Sequence, residues 1–294
     1  PPDGAKPREI LKNSWPPSDG FEQDRPLSDL IAARVGPPRA SQEELPEIML
    51  PDEITPSDDL PLEEVPNKED TESEESDFLA PEPAADVDVL RVHSQEWVRK
   101  LKTGKLSLTE LMRLEIPYST ETIEAFWCAA GGSILAGQRA LDDSLAVNVG
   151  GGFHHAFPEH GEGFCAIHDV AIAIRRLQFD KAIATAMVVD TDVHQGNGTA
   201  EIFGGDGDIF TLSIHQENNY PYPKPASNID LHLPDGIGDA DYLAILEKHL
   251  IQAFHDFHPD VLFYVGGADP YMEDQLGGLR LTLEGLQRRD RLVF

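Results

Sequence analysis

The chain has 294 residues, room for one large domain or two small ones, and a formal net charge of −30. So acidic a surface repels phosphate backbones, which argues against direct nucleic-acid binding and suits a cationic partner such as a lysine-rich peptide or a polyamine. Two cysteines, Cys128 and Cys165, make no disulfide framework and fit a reducing compartment, and no apolar run approaches the roughly 18–20 residues of a membrane span, so a cytoplasmic setting is expected, or a nuclear one in a eukaryote.

Residues 1–77 are rich in Pro, Asp, Glu and Ser, and 61–77 (PLEEVPNKEDTESEESD) has almost no apolar periodicity. Such a segment cannot bury enough surface to offset its ordering entropy, so it is read as a disordered acidic stretch, with a turn or two of helix at 26–35. An ordered domain is expected over 78–294. Within it 87–101 reads as a short helical stretch, and 120–141 as a helix with Ile123, Phe126, Trp127, Ala130, Ile134 and Leu135 along one side. Then the texture changes. Residues 146–149, 184–190, 209–214 and 261–265 are short apolar runs of the kind buried on both faces of a parallel sheet, and helical patterns at 169–178, 199–203 and 240–257 lie between them. Alternation of strand and helix predicts an α/β fold with a parallel sheet, whose functional groups gather at the carboxyl ends of the strands.

Three polar clusters follow those strand ends. In 188–199 (VVDTDVHQGNGT) an apolar strand runs into Asp190, Asp192 and His194, which share a face if the chain stays extended, and Gly196 and Gly198 then allow a tight turn. A polar strand end that caps the next helix accounts for one Asp, but not for Asp-x-Asp-x-His. In 150–156 (GGGFHHA) adjacent histidines follow a strand pattern; alone they serve equally as ligands, a proton relay or loop polarity. In 263–270 (FYVGGADP) two glycines precede a lone carboxylate, Asp269, which an ordinary turn would also explain. Together, Asp192, His194 and Asp269 supply one nitrogen and two oxygens, the incomplete shell of a catalytic zinc, with His154 and His155 available to move protons. A two-metal site of the arginase type needs another Asp two residues after the His; Gly196 stands there.

Several motifs, in order, resemble the zinc-dependent histone deacetylase family, which includes the acetylpolyamine amidohydrolases: Arg91-Val92-His93, Gly131-Gly132, Gly151 to Ala156, Gly163-Phe164-Cys165, Asp190 to Thr199, Ser213-Ile214-His215 and Gly267 to Pro270. The form HQGNGT at 194–199 is similar to bacterial and class IV members. The resemblance implies a three-layer α/β/α domain around a parallel sheet, with Zn2+ on Asp192, His194 and Asp269. It pairs His154 with Asp190 and His155 with Asn197. Many relatives carry Asp at the latter position, and an Asn cannot ionise, so His155 is expected to be less basic here. Phe164 would line a substrate tunnel and Gly163 would offer its carbonyl to the substrate amide. A structural K+ would be held by carbonyls of Asp190, Asp192, His194 and Ile214 and side-chain oxygens of Asp190 and Ser213. The implied reaction hydrolyses an acetyl-lysine or acetylpolyamine amide to acetate and free amine.

The chain also departs from the family pattern. Relatives place a Tyr in a glycine-rich loop after the later strands, where it donates to the reacting carbonyl. This chain reaches Phe294 without that loop, so a domain incomplete at its C-terminus and a weakly active fragment are expected. A metal-retaining but inactive acyl-lysine binder is the competing reading. Residues 1–77 do not resemble the family's opening segment. His168 stands where many relatives have Asn, and it is read as a loop hydrogen-bonder. Residues 216–222 (QENNYPY) are read as a tunnel rim or a solvated loop.

Overall fold

The computed structural model describes residues 78–294; the acidic segment 1–77 and the short helix expected at 26–35 lie outside the described residues. Four helices come first: α1 (Asp86–Val89), α2 (Gln95–Thr103), α3 (Leu108–Leu114) and α4 (Thr120–Asp143). After α5 (Asp169–Phe179) the chain alternates through β1 (Ala186–Asp190), α6 (Asn197–Phe203), β2 (Ile209–Gln216), β3 (Ile229–Leu233), α7 (Asp239–Asp256), β4 (Val261–Val265) and α8 (Leu283–Val293). The strands form one parallel sheet in the order β3-β2-β1-β4, with Asp190 beside Ser213 on one side and Val265 on the other.

Strand alternation splits the core into layers. From β1, Ala186 and Val188 face α5 with Ile174 and Leu177, whereas Met187 and Val189 face α7 with Leu246 and Leu250. All five β1 residues are buried, as a central strand covered on both faces requires. A further apolar cluster ties α2 and α4 to the start of α5 through Trp97, Leu101, Phe126, Trp127 and Ile172. The result is the expected α/β/α sandwich. No described helix is long and apolar enough to cross a membrane.

The differences from the sequence reading are local. The strand expected at 146–149 does not form, and Val147 and Val149 are 71% and 90% exposed. An apolar run becomes a strand only when a ladder partner satisfies its backbone, and among the described residues no strand lies beside it. The helix expected over 87–101 is two helices, because Ser94 caps α2 by accepting from Trp97 N. The elements α3, α8 and β3 were not expected from the sequence, although β3 alternates Ile229, Leu231 and Leu233 with Asp230 and His232. The extended run from Asp190 to His194 ends at Asp190, and Asp192 and His194 sit in an irregular loop.

Candidate metal and acid–base site

The ends of β1 and β4 are stitched together where Thr191 N donates to Val265 O at 2.9 Å. Each strand then releases a loop, and the two loops meet. His194 Nδ1 lies 3.1 Å from Asp192 Oδ1 and 3.0 Å from Asp269 Oδ2. The three ligand-type atoms fall within 4.8 Å of one another, the one such group of His, Cys, Asp or Glu found among the described residues. Backbone donors hold both carboxylates: His194 N binds Asp192 Oδ1 at 2.8 Å and Val193 N binds Asp269 Oδ1 at 2.9 Å. The side chains keep 15–19% exposure, so the group opens on one side.

Burial lowers the proton affinity of His194, but its bonds to Asp192 and Asp269 outweigh that and raise it to about 9. Burial likewise opposes ionisation of Asp192, yet the neighbouring His154 and His194 hold that carboxyl well below its usual range. Asp269, buried and facing the Asp192 charge, is pushed up. One nitrogen between two carboxylate oxygens is a donor set that suits a divalent cation, which would take over the role of the His194 proton. No second carboxylate stands at Gly196, where an added Cβ would run into the Asp190 carboxylate.

His154 and His155 share a loop but not an environment. Their rings lie 4.0 Å apart. His154 Nδ1 meets Asp190 Oδ2 at 2.6 Å, and His155 Nδ1 meets Asn197 Oδ1 at 2.7 Å. Burial works against a charge on His154, but the Asp190 carboxylate, with Asp192 behind it, raises it to about 9. His155 is pushed well below its usual value by burial and by the adjacent His154 charge. Gly198 is required for this arrangement, because an added Cβ would strike the carbonyl oxygens of Ala156 and His154.

The other sequence-selected residues border the same place. Gly163 (φ 52°) and Phe164 (φ 66°) form a tight turn closed by Cys165 N to Glu162 O at 2.9 Å. A Cβ on Gly163 would lie 2.7 Å from His155 Cδ2, so the turn packs directly on that imidazole. Phe164 is half-exposed. Ser213 and Ile214 lie beside the end of β1 through the Asp190–Ser213 register, although the Ser213 hydroxyl is 2.9 Å from His215 Nδ1. His168 caps α5, with Nδ1 accepting from Ala171 N at 3.2 Å and Nε2 facing Thr199 Oγ1 at 2.9 Å.

Three supporting residues were not legible as such. Asp169, fully buried, accepts from Gly152 N at 3.0 Å, Phe153 N at 2.7 Å and the Ser133 hydroxyl, and so fixes the loop that carries both histidines. Its position at the start of α5 reads in sequence as an ordinary first-turn acid. Tyr220, in the expected rim, places its ring 5.0 Å from His155 and 6.2 Å from His194. Glu162 accepts from the Tyr220 hydroxyl at 2.5 Å and from Asn197 Nδ2 at 2.6 Å. Acids in loops are too common for the sequence to single it out.

Comparison with known proteins gives the family. The family described as "Histone deacetylase domain" matches residues 62–294. An uncharacterized protein of Picosynechococcus is 43% identical over 203 residues, covering 69% of this chain and 68% of that protein. Histone deacetylase 2 of Arabidopsis thaliana is 32% identical over 230 residues, 75% of this chain and 59% of the relative. A crystal structure of an HDAC homologue from Aquifex aeolicus superposes with a TM-score of 0.66 at 26% identity, over 72% of this chain and 63% of that one. The chain thus spans about three fifths to two thirds of the length of these proteins.

Proposed function

The chain belongs to the histone deacetylase family, and we propose that its site hydrolyses the amide of an acetylated amine, an acetyl-lysine side chain or an acetylpolyamine, to acetate and the free amine. The observation that carries this reading is the meeting of Asp192, His194 and Asp269 beside two histidines of opposite protonation tendency. Asp192, His194 and Asp269 would hold Zn2+, which supplies Lewis acidity and lowers the pKa of a bound water toward about 7. His155, neutral, takes the proton of the attacking water and returns it to the departing amine. His154, kept cationic by Asp190, stabilises the negative charge that gathers on the carbonyl oxygen. The Gly163 carbonyl accepts the substrate amide N–H, and Phe164 flanks the acyl-amine chain. A structural K+ on the Asp190, Asp192, His194, Ser213 and Ile214 oxygens belongs to the same proposal.

The test assays an acetyl-lysine peptide and acetylputrescine with added zinc, beside Asp192→Ala, with bound metal counted. About one metal per chain and loss of turnover in the variant are expected, and the better substrate names the class. Two metals per chain, or a variant as active as the parent, would overturn the reading. A second reading, a metal-retaining acyl-lysine binder, is favoured by one observation: Tyr220, close to His194, commits its hydroxyl to Glu162. Acetyl-peptide binding without turnover in the metal-loaded chain would select it.

A further inference from the structure

A histidine acts as a base only through the nitrogen that carries the lone pair. His155 presents Nδ1 to an amide, and an amide is ambiguous: its oxygen accepts, its nitrogen donates, and rotation by 180° exchanges them. With the Asn197 oxygen facing His155, the ring must carry its proton on Nδ1 and its lone pair on Nε2. With the amide reversed, the ring would carry its proton on Nε2 and lose its function as a base. Something must therefore settle the amide.

Glu162 does so. An ionised carboxylate only accepts, so it holds the Asn197 NH2 on its own side and turns the oxygen toward His155. Burial raises the Glu162 carboxyl, but hydrogen bonds from His160, Tyr220 and Asn197 outweigh it and bring it down to about 2, which keeps it an acceptor at neutral pH. Both its oxygens are engaged: Oε1 with Asn197 Nδ2 at 2.6 Å and Tyr220 OH at 2.5 Å, Oε2 with His160 Nε2 at 3.1 Å. Gly198 N, at 3.1 Å from Asn197 Oδ1, supports the same orientation with a longer, uncharged contact. The backbone beneath Glu162 is firm, since the turn it opens is docked on the end of α3 through Gly163 N to Arg113 O and Phe164 N to Leu114 O at 3.3 and 3.1 Å.

We propose that Glu162 is a positioning residue which, through Asn197, fixes His155 as its Nδ1–H tautomer and so leaves the Nε2 lone pair for proton abstraction. The inference rests on the deacetylase reading for its effect on turnover; the tautomer itself does not depend on it. An Asp at position 197 would need no such partner, because a carboxylate has no donor to present to His155. Glu162 is thus the counterpart of having Asn at that position.

The experiment reads nitrogen NMR shifts of His155, which separate the two neutral tautomers, in the metal-free chain at about pH 8, and kcat and KM in the metal-loaded chain. The parent should be Nδ1–H. Glu162→Leu should populate Nε2–H and lower kcat about tenfold while KM stays within about twofold. Adding Asn197→Asp to that variant should restore the Nδ1–H form, and return kcat to within about threefold, on the alkaline side of the His155 pKa that the new carboxylate raises. A residue that merely braces the loop would not be rescued in this way. Should the leucine variant fail to fold, Glu162→Gln keeps the shape and can turn its own NH2 toward Asn197, so a mixture of tautomers is expected there. An unchanged His155 tautomer in whichever of these variants folds, or failure of Asn197→Asp to restore it, overturns the proposal. The expected tautomers without turnover in any chain would leave the proposal standing and count against the deacetylase reading.

Discussion

His93 offers the sharpest test of how the loop beneath the site is held. It is buried, and its two ring nitrogens meet opposite partners: Nδ1 lies 3.0 Å from Phe157 O, which only accepts, and Nε2 lies 2.9 Å from His168 N, which only donates. The ring must be the neutral Nδ1–H tautomer, and a second proton would set N–H against N–H. Burial accordingly drives its pKa down from 6.5 to about 4, against a smaller opposing contribution from the Phe157 carbonyl. A histidine depressed in the fold takes its proton first in the unfolded chain. Its contribution is intact above about 6.5 and is lost as pH falls toward about 4. Between pH 7 and pH 5 the two pKa values give a loss of about 2 kcal/mol. His93→Gln removes the titrating group while keeping a donor and an acceptor. It should cost about 1–3 kcal/mol at pH 7, because one side chain cannot reach both partners equally well. Urea unfolding of the metal-free parent and variant at the two pH values measures both effects. His155 and His168, also pushed down by burial, steepen the acid slope in both chains, so the difference between the slopes isolates His93. Equal slopes would refute the reasoning.

Gly198→Ala drives a Cβ into two backbone carbonyls of the His154–Ala156 loop, whereas Gly207→Ala meets nothing within 4 Å; thermal melts should show a loss of more than about 3 kcal/mol for the first and a change within about 0.5 kcal/mol for the second. Trp97, 1% exposed, donates Nε1–H to Ala166 O at 2.9 Å, so Trp97→Phe should cost about 1–3 kcal/mol by denaturant unfolding, mostly by orphaning that carbonyl. Phe164→Ala removes a half-exposed ring beside Gly163, whose turn packs on His155; if the ring flanks the substrate as proposed, steady-state assays should show a raised KM, with stability within about 0.5 kcal/mol of the parent.

What the sequence showed and what it hid divide along physical lines. The strand at 209–214 was legible because a central parallel strand is apolar on both faces, and the one at 261–265 because it is a short unbroken apolar run, although it ends the strand order and its middle residues are only partly buried. The run at 146–149 has the same pattern and no ladder partner, and pattern alone cannot count neighbours. The group of Asp192, His194 and Asp269 was legible because ligand types are few and strand ends converge in this architecture. Gly196 and Gly198 were read for their turning freedom, yet neither has a positive φ; they are needed because backbone and carboxylate press against them. Glu162 and Asp169 stayed hidden because their roles lie in which donors face them, and that is set by loops distant in sequence.

The site also shows how two adjacent residues of one kind are made unlike. Both histidines turn Nδ1 outward from the loop, both are buried, and each meets a side-chain oxygen at nearly the same distance, 2.6 and 2.7 Å. The charge on that oxygen differs, and the Asp192 carboxylate, 3.8 Å from His154 Nε2, adds to the difference. Burial raises the Asp190 carboxyl too, but its contact with His154 opposes that, and facing this carboxylate His154 holds its proton to about 9. Asn197 answers with a dipole, which does not offset burial and the His154 charge together, and His155 is left neutral. Two titratable groups pushed apart in this way separate the roles of cation and base at one pH. Replacing Asn197 by Asp while Glu162 remains would set two carboxylates face to face. It would also raise the proton affinity of His155 and narrow the separation. Asn197 and Glu162 therefore act as a pair, and a change at either one alters what the other must do.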